Sequence, residues 1–76
     1  MKIENPDNKQ FFILFSLEAY RNKHEMTGNE VYVVFKDYNV FDFLQSSYDL
    51  LHTQSIDYVV AEIDEYIKSK NEAVSQ

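Results

Sequence analysis

His52-Thr53-Gln54, with Tyr48 and Asp49 just upstream, is the string in this chain whose side chains could do chemistry. A histidine changes charge near neutrality and can pass a proton or donate to a ligand. Gln54 could fix the orientation of a bound group. Asp49 falls one helical turn from His52, where a carboxylate could sit beside the ring. The same residues have a plainer reading, and it carries more weight. Thr53 can cap a following helix, His52 can bond a helix-end carbonyl, and Gln54 can be merely exposed, because caps and turns commonly use these residue types. A base also needs a nucleophile or substrate within reach, and no nucleophile elbow, phosphate-cradling glycine loop or paired catalytic carboxylate accompanies the turn. Tyr48, Asp49, His52, Thr53 and Gln54 are therefore candidate binding residues, and no catalytic residue is assigned.

Metals and cofactors find no ligand set. His24 and His52 are far apart, no His-x-x-x-His exists, and there is no cysteine. Asp57, Glu62, Asp64 and Glu65 lack the alternating spacing and central glycine of a calcium loop, and on a helix they read as a solvated acidic face. No cofactor and no metal are expected. Seven Lys and Arg stand against thirteen Asp and Glu, a net charge of −6, and the basic residues are scattered. A phosphate-binding surface needs them gathered on one face, so no nucleic-acid partner is expected. An acidic protein of this size more naturally meets a basic protein surface. The apolar run Phe11–Phe15 falls far short of the ~20 residues that span a bilayer, and no signal peptide precedes it, so no membrane association is expected. The absence of cysteine fits a cytoplasmic location.

These residues must be positioned by helices. Phe11-Phe12-Ile13-Leu14-Phe15-Ser16-Leu17-Glu18-Ala19-Tyr20 is apolar on most of a helical circumference, so other elements should surround it. Asn5 and Pro6 signal its start, and a polar cluster from Arg21 to Glu25 ends it. Thr27 and Glu30 then have the spacing of a capping box, with Met26 and Val31 placed as a hydrophobic staple. Val31-Tyr32-Val33-Val34-Phe35 is strand-like in composition. The capping box and the i, i+3, i+4, i+7 spacing of Val31, Val34, Phe35 and Tyr38 nevertheless favour a helix over 28–38. Asn39 can take the left-handed conformation that ends it. Val40, Phe43 and Leu44 face inward on a short helix or turn, Ser46 or Ser47 can cap the next turn, and Thr53 or Ser55 can start the last helix. There Ile56, Val59, Val60, Ile63 and Ile67 form the apolar stripe, and Asn71–Gln76 should fray. The fold class is all-α: a compact bundle of four to five short helices around a central N-terminal helix. One helical domain should occupy residues 1–76, with an ordered core over about 6–70.

Tyr48-Asp49-Leu50-Leu51-His52-Thr53-Gln54 resembles a family of small bacterial proteins, the domain of unknown function numbered thirty-seven ninety-one. The resemblance extends upstream through Phe35–Val40 and Asp42-Phe43-Leu44, and downstream through Tyr58-Val59-Val60 and Ile63–Ile67. The chain departs from the family in carrying Asn39 where glycine is frequent, and asparagine tolerates the same conformation. The resemblance implies an all-helical domain with no assigned enzyme activity. It also suggests gene neighbourhoods with ADP-ribosyltransferase-like proteins, hence an antitoxin- or immunity-type partner role.

Two functions follow as expectations. The first is a protein–protein interaction module, suggested by small size, acidity, six tyrosines and the lack of a catalytic set. The alternative is a small-molecule-binding or minimal enzymatic domain that uses the His-Thr-Gln turn. A transcriptional helix-turn-helix would need a basic face that the sequence does not offer. If the bundle leaves part of the Phe11–Phe15 circumference bare, a second copy should cover it, as a homodimer.

Overall fold

Where the sequence offers both a helix and a strand, at Val31–Phe35, the chain takes the helix. A computed structural model describes residues 7–74. They form α1 (Asp7–Lys23), α2 (Gly28–Asp37), α3 (Val40–Ser46), α4 (Tyr48–Leu51) and α5 (Ile56–Val74), with no strand among the described residues. The Asn5-Pro6 start signal lies outside the described residues.

The start of α2 shows why the helix wins. The Glu30 N–H donates to Thr27 Oγ1 at 3.1 Å, and the Thr27 N–H donates to Glu30 Oε1 at 2.8 Å, which closes the capping box. Helical spacing then buries Val31 and Phe35 together and leaves Val33 exposed. A strand would have put all three on one face. Met26, the staple residue, is half-buried and packs against the same core.

Two left-handed residues set the turns. Asn39 (φ 58°, ψ 36°) separates α2 from α3 as its type allows. Glu25 (φ 53°) is the one the sequence conceals. The Met26 N–H donates to the Arg21 carbonyl at 3.0 Å and the Glu25 N–H to the Asn22 carbonyl at 3.3 Å, so α1 ends in a Schellman motif with glutamate where glycine is usual.

The core joins Tyr20 of α1, Val31 and Phe35 of α2, Val40 and Leu44 of α3, Leu51 of α4, and Val59, Val60 and Ile63 of α5. Edge-on aromatic contacts run from Tyr20 to Phe35 (5.4 Å) and from Phe35 to Phe41 (5.5 Å), and Phe43 stacks on Tyr66 at 4.2 Å. Ser16 is the buried polar residue, and its hydroxyl donates to the Phe12 carbonyl at 2.8 Å.

The helix ends can now be assigned. Ser47 makes no side-chain cap; its carbonyl accepts instead from the N–H groups of Leu50 and Leu51. Of the two candidates for the start of the last helix, Thr53 and Ser55, it is Ser55 that caps it: its Oγ accepts from the Tyr58 N–H at 3.2 Å. That helix continues past Asn71. It stays helical to Val74, and the Tyr38 hydroxyl donates to Asn71 Oδ1 at 2.7 Å, tying it to the end of α2. Ser75 and Gln76 lie outside the described residues.

The N-terminal helix α1 touches α2, α3 and α5. They cover only part of its circumference. Ser16 and Tyr20 face inward, while Phe11, Leu14 and Phe15 on the opposite side are 73%, 55% and 62% exposed.

Candidate functional site: an aromatic groove between the first and fourth helices

The bare side of α1 is concave. Phe11, Phe12, Leu14 and Phe15 form one wall and floor, Tyr48 and His52 of the α4 region form the other wall, and Asn8 and Glu18 stand along the rim, enclosing about 510 Å³. The aromatic residues brace one another: Phe12 meets Tyr48 edge-on at 5.4 Å, and Tyr48 stacks on His52 at 4.4 Å. The Lys9 ammonium sits 5.6 Å from the Tyr48 ring centre, a cation–π contact at the groove's end. Glu18 is held by Arg21, whose Nη2 and Nε donate to Glu18 Oε1 at 3.0 and 3.2 Å; Arg21 Nη1 also donates to the Met26 carbonyl at 3.3 Å.

This geometry sorts the sequence candidates. Tyr48 and His52 line the groove. Gln54 lines a separate depression with Leu50 and Tyr58, and the exposed Asp49 and Thr53 line neither. Neither of these two concavities gathers Asp49, His52 and Gln54 together. His52 meets a backbone carbonyl of its own helical turn. Nδ1 lies 2.7 Å from the Tyr48 carbonyl oxygen. A carbonyl only accepts, so Nδ1 carries a hydrogen and Nε2 is the ring nitrogen not engaged by this bond. That leaves one nitrogen for a ligand, with no carboxylate from Asp49 behind the ring.

A second cluster was invisible in the sequence. The Asp64 carboxylate on α5 lies 3.1 and 3.3 Å from His24 Nε2, takes a hydrogen bond from the Tyr20 hydroxyl, and so ties the end of α1 to α5. The Tyr20 and His24 rings lie 4.3 Å apart. Burial first, then the Asp64 charge and the hydrogen bond to it, push the Tyr20 phenol up to about 12. A phenol held protonated in this way donates and does not serve as a base. Tyr20 and His24 share a helical face by spacing, but their partner lies forty residues away. Among the described residues no group of His, Asp and Glu is placed to hold a metal ion, and no helix is long and apolar enough to cross a membrane.

Fold and site together define a small all-helical bundle with an open aromatic groove on its central helix. The chain belongs to the family described as "Protein of unknown function (DUF3791)", which it matches over residues 11–70, a span that takes in most of α1 and all of α2, α3 and α4. No curated protein and no solved structure matches it.

Proposed function

We propose that this protein is a protein–protein interaction module of the cytoplasm, and that its contact surface is the groove between α1 and the Tyr48–His52 wall. The occupant is an amphipathic helix of another polypeptide, with apolar side chains along its middle. One observation carries the reading: Phe11, Leu14 and Phe15 are large, adjacent and mostly exposed on a helix whose other side is packed. At about 200 Å² per phenylalanine the three residues expose roughly 400 Å², within the size of the largest apolar patch on a typical monomer, which is often functional. The groove's length along α1, with apolar positions between two polar ends, suits a helix laid in it.

The gene neighbourhoods with ADP-ribosyltransferase-like proteins that the resemblance suggests would fit an antitoxin- or immunity-type role toward such a neighbour. The net charge of −6 would help draw in a basic partner surface. The alternative, a small-molecule site, draws on His52 at the wall of an apolar concavity. It lacks the convergent polar groups that fix a ligand's orientation, since Asp49 and Gln54 lie elsewhere.

Co-expression with the product of the adjacent gene tests the reading. A complex that survives gel filtration, and that is lost with Phe15→Glu while the variant keeps its helical circular dichroism, is expected. Two separate wild-type peaks at micromolar concentration would overturn it.

A further inference from the structure

Resting on that reading, we infer that in the free protein the groove is closed by a second copy of this chain, α1 against α1 in antiparallel array, so that self-pairing controls access to the docking face. The inference rests on the order and spacing of the residues that line the groove along α1. Asn8, Phe11, Phe15 and Glu18 follow one another at steps of three, four and three. These steps read the same in both directions, and they keep one stripe of a helix facing a partner. A two-fold axis crossing α1 near residue 13 places Phe11 of each copy opposite Phe15 of the other and Asn8 opposite Glu18 of the other. Leu14 then lies beside the axis.

Such an interface is isologous, the same patch serving on both copies. Its polar ends match: an amide that can donate meets a carboxylate that only accepts. Parallel pairing would instead set Glu18 against Glu18, with like charges in contact. Glu18 is already held in place by Arg21, so little side-chain freedom is lost when it meets Asn8. The area agrees with a reversible contact. Two faces of roughly 400 Å², together with flanking Phe12 and Tyr48, bury about 1,000 Å² in all, at the low end for specific association and well below an obligate dimer. A contact that size can be exchanged for a partner's helix.

Sedimentation equilibrium of the full chain, from about 10 to 500 µM, tests this. The wild type is expected to show a monomer–dimer equilibrium with a micromolar dissociation constant. Phe15→Glu should remain monomeric throughout. Asn8→Glu sets two carboxylates together at both ends of the interface and should weaken the dimer about fivefold. Adding Glu18→Asn to Asn8→Glu exchanges the two ends, restores the amide–carboxylate match and should return the constant to within about twofold of wild type. A wild type that stays monomeric at the highest concentration overturns the inference, and so does a double variant no tighter than Asn8→Glu. If the wild type is monomeric while Phe15→Glu still abolishes the complex with the neighbouring gene product, self-pairing falls and the interaction reading stands. If Phe15→Glu leaves both the oligomeric state and that complex unchanged, both fall.

Discussion

Replacing Tyr20 by phenylalanine removes one oxygen from the cluster that fastens α1 to α5, and the effect should depend on pH in a calculable way. The phenol is buried beside the Asp64 carboxylate and stays protonated up to about 12, against an ordinary value near 10. In the unfolded chain the same group loses its proton near 10. Between these values the unfolded state binds fewer protons than the folded one, so stability falls as pH rises. The contribution is complete below pH 10 and is lost as pH climbs through about 12, a total of about 2–3 kcal/mol, of which about 1.4 kcal/mol has gone by pH 11. Tyr20→Phe lacks this titration. At pH 8 the variant should be weaker than wild type by about 1–2 kcal/mol, the worth of a hydrogen bond to a charged group that keeps His24 as a second partner. At pH 11 most of that gap should have closed. Urea unfolding followed by far-ultraviolet circular dichroism at pH 8, 10 and 11 measures it, and every group common to both proteins cancels in the difference. A gap that stays constant from pH 8 to 11 would refute the coupling between Tyr20 and Asp64.

Other perturbations separate the core from the open face. Phe35→Ala, at a position with no exposure, should cost about 3–5 kcal/mol in denaturant unfolding, a large share of the ~4–11 kcal/mol available to a chain of this length. Phe11→Ser, on the bare side of α1, should stay within about 0.5 kcal/mol of wild type at concentrations too low for association. Glu25→Gly relieves a left-handed glutamate and should raise the unfolding midpoint by the equivalent of about 0.5–1 kcal/mol, whereas Asn39→Gly should be nearly neutral because asparagine already tolerates that conformation. Thr27→Ala opens the capping box and should cost about 1 kcal/mol, read from the same unfolding curves.

Much of this architecture could be read from residue order alone, for reasons that particular residues make plain. The capping box at Thr27 and Glu30 is a short-range device, so its two members identify each other without knowledge of the fold. The stripe of Val59, Val60 and Ile63 is equally local, and it proved to be the buried side of α5. What could not be read was whatever depends on two distant segments meeting. Asp64 reaches His24 across forty residues and Tyr20 one helical turn further back, and Tyr38 reaches Asn71 across thirty-three. The left-handed Glu25 was hidden because its residue type gives no hint and only the bonds of Met26 and Glu25 back into α1 reveal it. The His52 turn stands between these cases. Its residues were singled out, but the groove that Tyr48 and His52 join is built chiefly by phenylalanines whose spacing reads first as core.

That double character of the phenylalanines follows from the size of the chain. Five consecutive large apolar residues on a helix point in every direction, so full burial needs neighbours all round. A chain of 76 residues buries only about 60% of its unfolded surface, and here α2, α3 and α5 pack against α1 from one side. The remaining side could have carried charge. On α5 the exposed positions do so, with Asp57, Glu65 and Lys68 standing opposite the buried stripe. At the equivalent outward positions of α1 the chain places Phe11, Leu14 and Phe15, then closes each end of the row with a polar group, Asn8 and Glu18. A sequence that can make a polar outer face on one helix and does not on another has not run short of polar residues. On the reading proposed above, the apolar face of α1 is half of a core whose other half arrives with a second polypeptide.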